Sequence, residues 1–445
     1  MKLELNPKGV YVSDGQFDQY EALKDVGVRA ALCFKETKNN VALSLDDIRK
    51  SESDAILINR GLGTIFSDHT TPSEHQNITL EITGIPKILC MILNNEKQYS
   101  ADERSLRYTE VEENEYITSL EIRLYDKWLA KIETIIWEKY QDFYMRLNKD
   151  NEKRARKAIH KIAQENARYM VSVFMPTAIS YTVPWIQLNK ILSYMQRIIN
   201  NPQNELEELL VPYLQEFTNL CISKNIAITK NSIYAVAMRE EEVRSKLLTV
   251  YPEIETYVGK DELIYRNNKS VDLSLFAYRN KFSAINNHNQ YGYSISYNNY
   301  ESFACLAQEQ RHRTLDCEMS IPDTFSAYVP AIIRDDNVLQ QEWINDMNSV
   351  QSVYPQGQLV RVNRISSLKN IIKFVAQERS CSRAQLEIER LYLDHMIPTI
   401  YEELVKQQED ELALILKPYV GKLRCQYPDY HCPSPCGNPQ KKRKI

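Results

Sequence analysis

The strongest constraint on the fold of this chain is an order of parts that occurs twice. In the first half, ITLEIT at 78–83 alternates apolar and polar residues, the pattern of a half-buried strand. An apolar helix at 86–93, a compact Glu/Ser/Arg cluster at 103–108 and helices at 115–148 and 152–169 follow. Pro176 and Pro184 break the next stretch, so 171–182 reads as extended or loop, and it leads into helices at 187–199 and 205–222, the last kinked at Pro212. In the second half, residues 226–236 and 265–300 carry strand patterning, and 302–310 is helical. QEQRHRTLDCEMS at 308–320, a loop to Pro330, a weak helix at 343–353, the extended YPQGQLVRVNR at 354–364 and helices at 366–379 and 381–415 complete the series. The order repeats and the letters do not. Half-buried strands must cover one face with helices, so we expect an α+β fold of two tandem repeats, each an antiparallel sheet packed with long helices. The expected division is 1–225, 226–437 and a basic tail at 438–445. Two stretches outside this series are also read: 26–34 as a buried strand or short helix, and the glycine-punctuated 58–64 as a turn.

The remaining composition narrows the class of partner. With 445 residues and 43% apolar content the chain has enough material for two cores. A net charge of −4 gives no overall basic field, so nucleic acid is not the expected partner. No apolar run approaches the ~20 residues of a membrane span, and MKLELNPKGV lacks a signal-peptide core. The nine cysteines are mostly spread singly, which suits a reducing compartment. We therefore expect a soluble, cytoplasmic protein.

Local chemistry concentrates in two clusters. Arg311, His312 and Arg313 set two permanent cations beside an imidazole, with Glu318 and Ser320 close behind. Such a group suits an anionic ligand with a phosphate and a polar ring, although a solvated basic face has the same letters. Glu103, Ser105 and Arg107 fall at alternate positions, which share one face of an extended backbone. His69, Glu74 and His75 around Pro72 do not have the spacing of a helical zinc motif, and Cys425, Cys432 and Cys436 with His431 lack the paired spacing of a zinc site. No metal is expected. The terminal KKRK reads as a nuclear signal or a solubilising end.

Taken jointly, the motifs resemble those of the flavin-dependent thymidylate synthases. That family carries Arg-His-Arg, a spacer and Glu-x-Ser-x-Arg-Tyr, preceded by His-x-Thr-Pro-x-Glu-His and followed by an Ala-Arg-Tyr helix end. A Pro-Gln-Gly segment, an Arg-x-Cys-x-Arg-Ala-Gln-x-Glu-Ile helix and often a cysteine-bearing tail come later. Here the first half has HTTPSEH at 69–75, ERSLRY at 103–108 and NARY at 166–169. The second half has QEQRHR at 308–313, YPQG at 354–357 and RSCSRAQLEI at 379–388. The departures are complementary. Asn95, Glu96 and Lys97 stand where the first Arg-His-Arg belongs, and the first half reads LSYMQRIINN in place of the Arg-Ala-Gln helix. In the second half the spacer is one residue short, Pro322 replaces an Arg, and Gln351 replaces the Ala-Arg-Tyr arginine.

The resemblance implies methylation of dUMP at carbon 5, with methylenetetrahydrofolate as carbon donor and FAD, reduced by NADPH, as hydride source. It implies Arg379 and Arg311 as the catalytic cations at the uracil ring, and Gln308, Arg311, Glu103, Ser105, Arg107, Arg168 and Arg379 as the dUMP set. His69, Thr71, Glu74, His312, Arg313 and Asn370 form the implied FAD set, with Asn363 and Arg364 as further stand-ins. Family members are homotetramers with sites between subunits. A fused pair of repeats is therefore expected to form a homodimer, a pseudo-tetramer in which each half keeps one side of a composite site. Two alternatives stay open: a relative that installs another group on a pyrimidine nucleotide, such as hydroxymethyl, and a nucleotide- or flavin-binding protein without turnover.

Overall fold

The computed structural model describes all residues except 35–43, 67–70, 97, 106, 108, 110, 112–113, 115, 228–259, 266–293, 407, 429, 434 and 437–441. The chain divides into two units. Unit 1 takes Met1–Arg104 with Pro176–Ser245, and unit 2 takes Ser105–Met175 with Lys246–Ile445. These units cut across the expected boundary at 225/226, because 105–175 leaves the first half and packs in unit 2.

In chain order, unit 1 begins with β1 (Lys2–Leu5), α1 (Gln19–Phe34), α2 (Leu45–Ser51), α3 (Asp54–Phe66), β2 (Asn77–Pro86), α4 (Lys87–Asn95) and β3 (Ser100–Glu103). The chain passes to unit 2 as α5 (Ser119–Leu147) and α6 (Glu152–Ala167), then returns as β4 (Pro176–Pro184), α7 (Trp185–Asn200) and α8 (Glu205–Ser223). The four strands pair antiparallel in the order β1-β2-β4-β3. The alternation of ITLEIT does what it predicts: Ile78, Leu80 and Ile82 are buried on one face. Residues 26–34 are helical within α1, and 58–64 is no turn but the middle of α3. The glycines there serve packing. A Cβ on Gly61 would stand 2.4 Å from the Leu23 carbonyl oxygen, so its absence lets α3 lie against α1.

Unit 2 adds β5 (Lys260–Tyr265), β6 (Ser294–Ser302), α9 (Phe303–Glu309), β7 (Asp316–Ser320), α10 (Asn337–Ser349), β8 (Leu359–Ser367) and α11 (Asp410–Leu416). Two helical runs, 368–379 and 386–406, each contain a π-helical segment, Ile371–Ala376 and Leu391–Met396. The expected helix 381–415 is thus interrupted before α11. The sheet order is β5-β6-β8-β7, again antiparallel. In both sheets the second strand in sequence borders the fourth, and an apolar helix follows the second strand. Of the expected strand 226–236, only Ile226 and Ala227 lie within the described residues, and both are buried.

The core of unit 2 joins helices from both halves of the sequence. Thr118 and Glu121 form a capping box that starts α5, and Asn151 caps α6. Trp128 of α5 meets Trp343 of α10 edge-on at 4.9 Å between ring centroids. Its indole Nε1 donates to Asp346 at 2.8 Å, and Lys127 Nζ reaches the same carboxylate at 2.5 Å. Gly357 is required where its backbone nitrogen donates to the Tyr169 carbonyl at 2.9 Å, because a Cβ would stand 2.8 Å from the Tyr169 Cβ. The NARY helix end and the YPQG segment therefore touch through backbone. Among the described residues, no helix is long and apolar enough to cross a membrane.

Arg364 continues the inward series Val360, Val362 along β8 and is fully buried. Its Nη2 lies 2.9 Å from Glu301 and 2.8 Å from Glu309, and Tyr392 also donates to Glu309. This arginine, a candidate for the flavin by resemblance, is committed to the interior of unit 2. Arg364→Ala leaves two buried carboxylates without their cation, and we expect a loss of about 3–5 kcal/mol. Urea unfolding followed by tryptophan fluorescence measures it.

Candidate functional site

The site grows from the loop at 380–385, between the two π-containing helical runs. Arg379 ends the first run, and Gln385 adopts an extended conformation (φ −58°, ψ 140°) just before Leu386 opens the second. Gln385 is buried, and its side chain is the hub. Its Oε1 accepts from Arg168 Nη2 and from Gln308 Nε2, and its Nε2 donates to the Tyr169 hydroxyl. Tyr169 in turn donates to Glu387 Oε2 at 2.7 Å, which also receives the Ser302 hydroxyl at 2.6 Å. One amide thus joins NARY from the first half to QEQRHR from the second.

A second node is the buried carboxylate of Glu165, one turn before Arg168 on α6. Arg107 Nε donates to its Oε2 at 2.6 Å, and Arg443 Nη2 lies 2.6 Å from its Oε1. Burial alone would raise the Glu165 pKa, but the guanidiniums of Arg443, Arg107 and Arg168 outweigh it and hold the carboxyl below its ordinary value. The same arginines grip the loop at three successive residues. Arg107 Nη2 donates to the Arg383 carbonyl at 2.9 Å, Arg443 Nη1 to the Ala384 carbonyl at 2.6 Å, and Arg168 to the Gln385 side chain. Burial lowers the pKa of Arg168 despite the opposing fields of Tyr169 and Glu165. Three guanidiniums around one carboxylate make a locale suited to a further anion.

Arg379 completes the group. Its Nη2 donates to the Gln308 carbonyl at 2.7 Å and its Nε to His312 Nε2 at 2.7 Å. That bond requires a lone pair on Nε2, so the hydrogen-bond network assigns neutral His312 its proton on Nδ1, which faces Glu378 at 4.0 Å. Burial holds the Arg379 guanidinium below its ordinary range, and nearby Arg311 adds to the effect. Arg311 itself is exposed and Arg313 half-buried. Asn370 is buried, with neither amide atom bonded within the protein among the described residues.

The other expected residues are placed differently. Glu103 ends β3 in unit 1, where Lys87 Nζ reaches it at 2.5 Å and Asn94 at 3.3 Å. The alternation read across 103–107 stops there: Ser105 is exposed, and Arg107 lies in a turn with its backbone nitrogen 3.4 Å from the Ser105 hydroxyl. Thr71 and Glu74 are exposed on a 3₁₀ turn of unit 1, and His69 lies outside the described residues. Unit 2 therefore gathers Arg107, Arg168, Gln308, Arg311, His312 and Arg379, and Glu103, Thr71 and Glu74 belong to unit 1. Reading the sequence missed Glu165, Tyr169, Gln385, Glu387 and Arg443. Three of them stand inside quoted motifs, NARY and RAQLEI, where arginines drew the attention. Arg443 was hidden in a charge run read as a free end.

Residues 18–221 match a family model described as thymidylate synthase complementing protein. Among solved structures, a crystal structure of thymidylate synthase X from Helicobacter pylori with FAD and dUMP is similar at 17% identity, covering 53% of this chain and 97% of that one, with a TM-score of 0.27. No curated protein matches the chain.

Burial pushes the Glu389 carboxyl, beside the Arg443 backbone nitrogen at 3.3 Å, up to about 7. The protonated form is favoured in the fold. Its stabilisation is complete below the unfolded value of about 4.3 and is lost as pH rises through 7. We expect Glu389→Gln to abolish this loss, so that its urea midpoint relative to the parent chain increases from pH 4 to pH 8.

Proposed function

We propose that this chain, whose residues 18–221 match a family model described as thymidylate synthase complementing protein, methylates dUMP at carbon 5 to give dTMP, using methylenetetrahydrofolate and NADPH. The observation that carries the proposal is Gln385 bonded to both Arg168 and Gln308. Two motifs distant in sequence, each assigned to the nucleotide by resemblance, share one side chain. Arg107 and Arg168 are the forks for the phosphate, with Ser105 as a hydroxyl donor beside them. Gln308 addresses the base or its sugar. Arg379, aimed by His312 and the Gln308 carbonyl, and Arg311 place positive charge where the uracil ring gains electron density.

For the flavin, the unsatisfied amide of buried Asn370 is the fitting feature, since its donor and acceptor together match a pyrimidine edge. Asn370, Arg313 and His312 of unit 2 would hold it. Reduced FAD supplies the hydride when bound. The protein's own task is to position, to exclude water and to set the field. Support for a fused tandem repeat comes from the matching sheet orders, β1-β2-β4-β3 and β5-β6-β8-β7. We take the assembly to be a homodimer, with light scattering expected to give twice the chain mass.

The purified protein should be yellow with a flavin spectrum, and should release tritium from 5-tritiated dUMP with a product heavier by one methyl group. Arg379→Ala should lower kcat about 10²–10³-fold. Arg107→Ala should raise the KM for dUMP about tenfold, the loss expected for one charge-assisted hydrogen bond. A hydroxymethyl product, or unaltered dUMP binding in both variants, would overturn the assignment.

A further inference from the structure

The last four residues do not behave as a solubilising end. Lys442 Nζ lies 2.9 Å from Asp394, and Arg390 Nη2 donates to the Arg443 carbonyl at 2.7 Å. Ile445 is 9% exposed and packs in the helical core around Trp128 and Trp343. These contacts thread the Arg443 guanidinium between α6 and the 380–385 loop, where it meets Glu165 and the Ala384 carbonyl, each at 2.6 Å. Glu165 has two oxygens, one on Arg107 and one on Arg443. Without Arg443, one oxygen of a buried carboxylate loses its cation, and Glu165 is free to turn and draw Arg107 with it. The Ala384 carbonyl loses its donor as well, at the residue before Gln385.

We infer that Arg443 is a positioning residue for nucleotide monophosphate binding. Through Glu165 it sets the fork of Arg107, and through Ala384 it sets Gln385. The terminal segment thereby becomes a structural part of the site. This inference rests on the proposed dUMP site. It requires no contact between Arg443 and the substrate, because Arg443 acts through Glu165 and the loop. Lys444 is exposed and lies outside this chain of contacts.

The test uses the full chain and dUMP, read by calorimetry and by steady-state tritium release. Arg443→Ala is expected to raise the dissociation constant and KM for dUMP about tenfold, with kcat within about twofold. Arg443→Lys keeps the charge without the fork and should recover part of the loss, and it covers the case in which the alanine variant fails to fold. Lys444→Ala should match the parent chain. In a Glu165→Gln background the Arg443→Ala penalty should shrink to the part that passes through the Ala384 carbonyl, since the route through Glu165 is already lost. An unchanged KM in Arg443→Ala, or a drop in melting temperature and kcat without a shift in KM, overturns the inference while the dUMP site stands. Failure of the intact chain to bind dUMP overturns the site itself and this inference with it.

Discussion

The site depends on a buried carboxylate surrounded by more positive charge than it can neutralise. Glu165 carries one negative charge, and Arg107, Arg443 and Arg168 all act on it. An isolated carboxylate at that depth would favour its proton. The arginines prevent this, and in exchange they are held in fixed directions. Two of them, Arg107 and Arg443, extend from Glu165 to successive carbonyls of the 380–385 loop. A loop with three arginine contacts in a row has little freedom, so Gln385 and Arg379 at its two ends are set as firmly as residues within a helix.

This arrangement explains how motifs from the two sequence halves come to share one unit. The pairing of α5 and α6 delivers Glu165, Arg168 and Tyr169 at the C-terminal end of α6, and β6, α9 and the loop deliver the second-half partners. Gly357 lets the two halves approach to backbone contact at Tyr169. Buried ionic groups elsewhere in unit 2 have a different role. Arg364 is enclosed by Glu301 and Glu309 within the sheet and its covering helices, so its charge is fully spent on the fold.

Much of the architecture was legible because it rests on local pattern. The strand ITLEIT, the apolar helix after it and the long helix α5 all follow from periodicity. The sequence misled where tertiary contact reassigns a local signal. Gly61 looked like a turn residue and is a packing residue. Arg443 looked like a solvated charge and is a buried one. The alternation at 103–107 implied one shared face, but the strand ends at Glu103. Arg107, Arg168, Gln308 and Arg379 were visible as candidates because guanidiniums and amides are conspicuous within motifs. Gln385 was not, since nothing local distinguishes an amide that joins four groups from one that joins none.

The departure of α5 and α6 from unit 1 has a consequence for how the chain is made. Trp128 finds Asp346 218 residues later in the chain. During synthesis the pair of helices emerges long before α10 exists to cover it. At ~5–20 residues per second the interval is tens of seconds at the slow end, during which the apolar face that carries Trp128 awaits its partner. Unit 1 can close its own sheet as soon as β4 and α8 have been made. Unit 2 must wait for the second half, and its nascent helices are where a chaperone would be needed first.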